Sequence, residues 1–116
     1  MIDKYTFGLV VVGGREYDYD VEVRWTGEVL RWWRKEGHIF DVEDVQRAVA
    51  QNPDVIILGT GSWGVAQVTE ECKESIKEKG IELIIDKTDK AIKSFNAIVQ
   101  NAIEKKKVIA LLHLTC

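Results

Sequence analysis

The stretch PDVIILGTGSWG, residues 53–64, decides the fold. Residues 54–58 form a short apolar run rich in β-branched side chains, which predicts a buried strand, and the glycines that follow predict a tight turn. A second apolar run, 81–85, comes after a segment with helical periodicity. The order is therefore strand, glycine loop, helix and strand, and strands joined in this way lie parallel with a right-handed crossover. The loop then lies at the carboxyl end of a strand, where open α/β sheets bind their ligands.

The helix of this unit is predicted from apolar positions spaced three and four residues apart. They are Val65, Val68, Cys72 and Ile76. Acidic Glu70 and Glu71 fall in the first turn, and Gly80 follows the last turn, as helix ends prefer.

The N-terminal third of the chain predicts an antiparallel β-meander. Residues 5–12 and 15–23 are predicted strands joined by a hairpin turn at Gly13-Gly14, and 29–34 is a third strand. Within 15–23 acidic residues alternate with tyrosines and valines, which predicts one solvated face. The acidic residues are Glu16, Asp18, Asp20 and Glu22.

The C-terminal half supplies two more helices and a strand. Asp41 is placed as the cap of a short helix, and Thr88 as the cap of the longest one, whose apolar stripe extends to Ile103. Residues 108–114 are apolar on both faces except for His113, which predicts a strand covered on both sides.

Composition narrows the classes of function. With 116 residues and a net charge of -3, the chain predicts one α/β domain over 1–116. Basic and acidic residues alternate, which disfavours a nucleic-acid partner, and no apolar run approaches the ~20 residues of a membrane helix. We therefore expect a cytoplasmic protein that contacts neither nucleic acid nor membrane. No metal-ligand spacing occurs and no cofactor is predicted. Abundant Lys, Glu and Ile are compatible with a thermophilic source.

The glycine loop has two interpretations. Gly59-x-Gly61-x-x-Gly64 matches the dinucleotide fingerprint, although one further βα unit is too little for two mononucleotide halves. The glycines either provide turn dihedrals or form a loop that binds an anionic or polar small molecule, including a nucleotide. The candidate ligand-binding residues are Gly59, Thr60, Gly61, Ser62, Trp63, Gly64, Thr88 and Asn96.

No nucleophile, base and orienting group occur in a recognisable arrangement, so no catalytic residue is predicted. Cys72 lies on the inward helix stripe and is expected to be a buried small hydrophobe, while Cys116 is terminal and is expected to be exposed. Of the two histidines, His38 is the better candidate for a site, since His113 lies in an apolar strand. Whether the protein is an enzyme stays open, and the pattern favours a non-catalytic one.

The tryptophan content is the feature of the sequence that favours a protein-binding function. Four tryptophans are many for so small a chain, and Trp is enriched in interface hot spots, although a core role is the alternative. Trp32 and Trp33 are adjacent in a predicted strand and must point to opposite faces, so one indole is expected near the surface. The candidate interface residues are Trp32, Trp33 and His38. A homo-oligomer such as a dimer, another protein partner, or both are expected.

Several motifs, taken in order along nearly the whole chain, resemble one family. They are Tyr5-x-Phe7-Gly8, Trp33-Arg34-x-x-Gly37-His38, Pro53-Asp54-Val55 with Gly59-Thr60-Gly61, Thr88 and Ala91 with Phe95-Asn96, and Ala110-x-Leu112-His113-Leu114. The family is a small-domain family of unknown function that includes a mitochondrial complex I assembly factor and an adipogenesis-associated cytosolic protein. The resemblance implies a three-layer α/β domain with a central mixed sheet and a β-hairpin subdomain, and it assigns no reaction.

Together these observations predict a three-layer α/β fold in which a central mixed sheet contains a parallel βαβ core. In it, the parallel pair 54–58 and 81–85 lies beside 108–114, with helices on the faces of the sheet and residues 5–34 as an antiparallel meander. The predicted function is a non-catalytic binding or assembly module that acts through protein–protein contacts. Small-molecule binding at the glycine loop is the alternative.

Overall fold

The computed structural model describes residues 1–116 and contains ten strands and three helices. The strands are β1 (Ile2–Thr6), β2 (Leu9–Val12), β3 (Arg15–Tyr17), β4 (Val21–Arg24), β5 (Val29–Arg31), β6 (Ile39–Phe40), β7 (Val55–Thr60), β8 (Gln67–Val68), β9 (Glu82–Asp86) and β10 (Val108–His113). The helices are α1 (Val42–Val49), α2 (Glu70–Lys77) and α3 (Thr88–Gln100).

A five-stranded mixed sheet with the order β5-β4-β10-β7-β9 forms the centre of the fold. β7 pairs in parallel with both β9 and β10, and β10 pairs antiparallel with β4. This confirms the parallel pair and its neighbour that the apolar runs predict. Every residue of β7 and β10 is buried, as expected for strands covered on both faces.

Two separate hydrophobic clusters cover the two faces of this sheet. On one face, α3 and the sheet β1-β2-β3 pack against Ile57 and Ala110. On the other face, α1 and α2 pack against Ile56 and Leu111. Neighbouring residues of β7 and β10 thus point into different clusters, because side chains alternate along a strand. The predicted three-layer α/β arrangement is confirmed.

The predicted meander divides between two sheets. The chain turns at Phe7-Gly8, where Gly8 has φ +80°, so the run 5–12 belongs to two strands. The run 15–23 is also interrupted, at residues 18–20, and β4 and β5 join the central sheet while β1, β2 and β3 form their own. The solvated face predicted for 15–23 is wrong at Glu22, which is 1% exposed and pairs with Arg24 and Arg47.

Two helix starts differ from their predictions. α2 begins at Glu70 behind the cap Thr69, since the residues before it form β8, which pairs with β6. The glycine loop is therefore not followed directly by a helix. Thr88 does not cap α3, because its hydroxyl bonds to other elements, and Lys87 occupies the cap position without a side-chain bond. The cap predicted at Asp41 is confirmed by a reciprocal capping box with Asp44.

The apolar stripe of α3 ends earlier than its sequence suggests. α3 stops at Gln100, and Ile103 lies in the following turn with 94% of its surface exposed. None of the three helices is both long and apolar enough to cross a membrane.

Candidate functional site at the carboxyl edge of the sheet

The glycine loop and the residues after β10 meet at the carboxyl edge of the central sheet. The backbone N–H of Ser62 donates to the carbonyl of Thr115 at 2.7 Å, and that of Val65 donates to Cys116 at 3.2 Å. Gly8 binds here too, because its N–H donates to the carbonyl of Leu114 at 2.8 Å. Backbone hydrogen bonds between these segments therefore close the carboxyl edge of the sheet.

Gly61 is the tightest point of this closure. It has φ +103°, and a Cβ built on it lies 2.6 Å from the carbonyl oxygen of Cys116. Its N–H donates to the Thr88 hydroxyl at 2.8 Å, and that hydroxyl donates to the carbonyl of His113 at 2.6 Å. The Gly64 N–H donates back to Gly61 at 3.3 Å. These contacts use the N–H groups of Gly61, Ser62 and Gly64, which anion binding by the loop would need, so the geometry supports the turn interpretation. Ligand binding by the loop stays a prediction.

The other predicted ligand residues also have partners within the chain. A Cβ on Gly59 would lie 2.9 Å from Leu112, so close packing requires glycine there. The Thr60 hydroxyl donates to the carbonyl of Asp86 at 3.1 Å, and the Ser62 hydroxyl bonds to the phenol of Tyr5. Burial raises the pKa of Tyr5, which keeps the phenol protonated.

Asn96 serves the N-terminal strand. Its side chain accepts the Ile2 N–H at 2.9 Å and donates to the Ile2 carbonyl at 2.8 Å. Both amide groups are therefore occupied in joining α3 to β1, as a structural role requires.

Exposed apolar side chains collect around this edge. Trp63 is 66% exposed and contacts Phe7, which is 56% exposed, with ring centroids 5.6 Å apart. Val65 and Ile39 are also exposed, and the carbonyl of His38, the residue before Ile39, accepts the N–H of Gln67. We call this group the rim surface: Phe7, His38, Ile39, Trp63 and Val65.

A buried charged cluster lies behind the rim surface. The carboxylate of Asp20 is 2.7 Å from Arg34 Nη2 and 2.8 Å from His113 Nδ1, and it accepts the Leu114 N–H at 2.8 Å. His113 Nδ1 also lies 3.0 Å from Arg34 Nη2, and it donates to Asp20 in the tautomer that carries the proton on Nδ1. His113 Nε2 faces the Thr115 hydroxyl at 3.4 Å.

Asp20 is ionised over a wide pH range. Burial alone raises the pKa of its carboxyl, but hydrogen bonds from His113, from the Leu114 N–H and from Arg34 outweigh burial. The net result is a pKa below the ordinary value for aspartate, which keeps the charge needed to hold Arg34 and His113 in place.

The two cysteines differ in environment. Cys72 is buried, as predicted, and burial together with the charges of Asp41 and Asp44 raises its pKa to about 12. Cys116 is half-exposed, and its Sγ lies 3.4 Å from His38 Nε2. The sequence separation of 78 residues concealed this contact. No three His, Cys, Asp or Glu side chains converge as metal ligands do.

Of the predictions made for Trp32 and Trp33, one is confirmed and one is wrong. As predicted, one of the adjacent pair reaches the surface, since Trp33 is 70% exposed and Trp32 is 4% exposed. Trp32 is wrong as an interface residue, because its indole is buried against Phe40 and donates to the carbonyl of Asp44 at 2.8 Å. Trp33 and His38 remain accessible.

Sequence reasoning missed Asp20 and Arg34. Asp20 was assigned to a solvated strand face, although aspartate is depleted in strands, and Asp18 and Asp20 together were a signal that the strand breaks. Arg34 stands in the motif Trp33-Arg34-x-x-Gly37-His38, but the motif does not indicate that its guanidinium is buried.

Comparisons with known proteins agree with this fold and assign no function. Residues 2–113 match the model of a family described as "Protein of unknown function (DUF498/DUF598)". The chain is similar to a conserved hypothetical protein from Pyrococcus horikoshii OT3, with 27% identity, a TM-score of 0.88 and coverage of 100% of this chain and 99% of that one.

Two further solved structures are similar. A protein named MT938 has 27% identity and a TM-score of 0.80, with 100% of this chain and 98% of that one covered. A structure described as an outer membrane protein from Bartonella henselae has 21% identity and a TM-score of 0.80, with 99% and 94% covered. The last of these shows the fold alone.

Proposed function

Because this chain belongs to the protein family of unknown function DUF498/DUF598, we propose a function for it from its surface: it is a non-catalytic binding or assembly module that acts through protein–protein contacts. The contact surface is the rim surface. The resemblance of its motifs to a family with a mitochondrial complex I assembly factor and an adipogenesis-associated cytosolic protein supports an assembly role. Residues 1–116 act as one cytoplasmic α/β domain without a nucleic-acid partner.

The exposed pair Phe7 and Trp63 carries this proposal. Both rings are more than half exposed, and their centroids lie 5.6 Å apart. Aromatic side chains that are exposed together, rimmed by polar groups, mark interaction sites more often than isolated ones do. Val65 and Ile39 are exposed as well.

The first partner to consider is a second copy of the chain. Apolar contact is non-directional, so one patch can serve both subunits of a twofold dimer. None of the five residues of the rim surface is Lys, Arg, Asp or Glu, and the charged residue that borders it at Gly64 is Lys87. Trp33, at 70% exposure, is available to widen the contact.

Sedimentation velocity over a concentration series tests the proposal. We expect the wild-type protein to self-associate at high micromolar concentration. The double variant Phe7→Ser/Trp63→Ser should lower the association constant by at least about thirtyfold, because truncating a hot-spot aromatic costs about 2 kcal/mol or more. Ile103→Ser is the matched control, since it removes an exposed apolar side chain far along the chain from the rim surface.

A wild-type protein that stays monomeric throughout removes self-association, and a pulldown compared between wild type and the double variant then tests a different protein partner. Equal loss of association in Ile103→Ser and in the double variant contradicts a role for the rim surface. Circular dichroism of each variant checks that the fold is retained.

A further inference from the structure

One thiol of the chain has a base beside it. The Sγ of Cys116 lies 3.4 Å from Nε2 of His38, in a contact exposed to solvent. This distance is within hydrogen-bond reach of a sulfur atom, so the imidazole can accept the thiol proton. Cysteine attacks as the thiolate, and an adjacent base is one of the features that distinguish a reactive thiol from an inert one.

Backbone contacts at the closed edge hold Cys116 in place. The carbonyl of Cys116 accepts the Val65 N–H at 3.2 Å, and that of Thr115 accepts the Ser62 N–H at 2.7 Å. Both carbonyls pack against Gly61, where an added Cβ would lie 2.6 Å from the Cys116 oxygen and 2.7 Å from the Thr115 oxygen. Cys116 is therefore anchored to the glycine loop through its own backbone and that of the residue before it.

His38 is held by contacts of its own. Its carbonyl accepts the Gln67 N–H at 2.8 Å, directly before β6 begins. Its ring packs edge-to-face on that of His113, with centroids 5.6 Å apart and planes 78° apart. His113 in turn bonds to Asp20 at 2.8 Å. The base that faces Cys116 is thus supported by a second imidazole, which a carboxylate anchors.

Cys72 provides the contrast within the same chain. It is 0% exposed in the hydrophobic cluster beneath α1 and α2, and burial raises the pKa of its thiol to about 12. A buried thiol that stays protonated at neutral pH is inert. The two cysteines therefore differ in chemical environment as well as in exposure.

We propose that Cys116 is a site of reversible thiol–disulfide exchange with small disulfides, and that His38 is its base. His38 Nε2 takes the thiol proton, and Sγ attacks one sulfur of the disulfide R–S–S–R. A bond forms between Sγ and that sulfur while the original S–S bond breaks, and the leaving thiolate takes up the proton from His38. Cys116 is oxidised to a mixed disulfide, half of the reagent is reduced to the thiol RSH, and excess thiol reverses the step.

The site stands independently of the proposed protein contact. His38 belongs to the rim surface, but the exchange needs only the exposed thiol and imidazole of a single chain. The reaction is therefore followed at low micromolar protein, below the concentrations at which we expect association.

The first test counts the reactive thiols of the native protein with dithiobis-nitrobenzoate, a chromogenic small disulfide. We expect one of the two cysteines to react in the folded chain and the second to react only after unfolding in denaturant. Cys116→Ser should abolish the native reaction. Oxidised glutathione should leave an adduct on Cys116, detected by mass spectrometry, that a reducing thiol removes. A native reaction that persists in Cys116→Ser, or no reaction of the native protein, overturns the proposal.

The second test measures the rate of the same reaction in His38→Gln. At neutral pH the rate should fall about tenfold, because a thiol without a base is only a few per cent ionised there. At about pH 10, where a thiol ionises without a base, His38→Gln and the wild type should react at similar rates. Glu36→Gln changes an exposed residue of the same turn and is the matched control, which should react as the wild type does at both pH values.

The two pH values separate a base from a structural residue. The other titratable groups around this edge are unchanged in His38→Gln, so they affect both proteins alike. They are Asp20 and Arg34 beside His113, Lys87 against Gly64, and Tyr5 bonded to Ser62. Equal rates at neutral pH overturn the assignment of His38 as the base. A tenfold difference that persists at about pH 10 overturns it too, because it assigns His38 a structural role.

Discussion

The two edges of the central sheet expose different surfaces. At the carboxyl edge the loop after β7 and the residues after β10 bond to each other, and apolar side chains such as Trp63 and Phe7 remain outside. At the amino edge the exposed residues 105–107 are lysines, and the backbone N–H of Lys107 donates to the Asp54 carboxylate at 2.7 Å. Ile103 is the exposed large apolar residue near that edge. Exposed charged residues are solvated by water and do not indicate a binding partner, whereas clustered exposed aromatic residues do.

Closure of the carboxyl edge accounts for the largest expected effect. Gly61→Val should destabilise the fold by about 4 kcal/mol, because a side chain at positive φ is strained and this one also meets the backbone of Cys116. Gly80→Ala is the control: Gly80 has φ +75° with open space around it and should cost only about 1 kcal/mol. Urea unfolding measures both. Similar values for the two variants contradict a closed edge.

The charged cluster behind the rim surface provides the second expected effect. Asp20→Asn should lower the free energy of unfolding at neutral pH by about 2 kcal/mol, since it removes the charge that Arg34 and His113 bind. At the amino edge, Asp54→Asn keeps an acceptor for the Lys107 N–H and should cost about 0.5 kcal/mol. Equal costs would show that the Asp20 cluster contributes no more than a surface contact.

The pH dependence of stability follows from the direction of the Asp20 shift. The pKa of Asp20 is lowered in the folded protein, so the unfolded chain binds the proton more readily. The contribution of Asp20 is complete above the ordinary aspartate pKa of ~3.9 and is lost as the pH falls through the lower folded value. Urea titrations between neutral and acidic pH should show a shallower acid loss in Asp20→Asn than in the wild type. Parallel curves contradict this assignment.

The smallest expected effect concerns the exposed apolar residues of both edges. Trp63→Ser and Ile103→Ser should each change the free energy of unfolding by no more than about 0.5 kcal/mol, because both side chains are largely exposed. A larger loss for Trp63→Ser at protein concentrations below association assigns Trp63 a structural role in place of a binding one.

The sequence predicted what depends on local pattern. Apolar runs in β7, β9 and β10 identified the strands and their parallel order, and the Asp41 capping signal identified the start of α1. The start of α2 was wrong because Val65 and Val68 fit a helical period that the β6–β8 pairing overrides.

The candidate site depends on contacts that no local pattern contains. Asp20 meets His113 across 93 residues, and His38 meets Cys116 across 78. The same applies to Gly61. Its close approach to Cys116 can be recognised only once the path of the chain after β10 is known. The glycine motif could be recognised in the sequence, but the carbonyl and hydroxyl groups that accept hydrogen bonds from its backbone N–H groups could not.

The rim surface as a contact surface between copies is most directly tested by an NMR dilution series. Amide and indole signals are compared from high to low micromolar protein, and chemical-shift changes are mapped on the sequence. We expect changes concentrated at Phe7, His38, Trp63 and Val65, with Ile103 and the lysines at 105–107 unaffected. A contact between copies through the rim surface would be contradicted by changes centred on the amino edge. Self-association that leaves the signals of the rim surface unchanged would contradict it too.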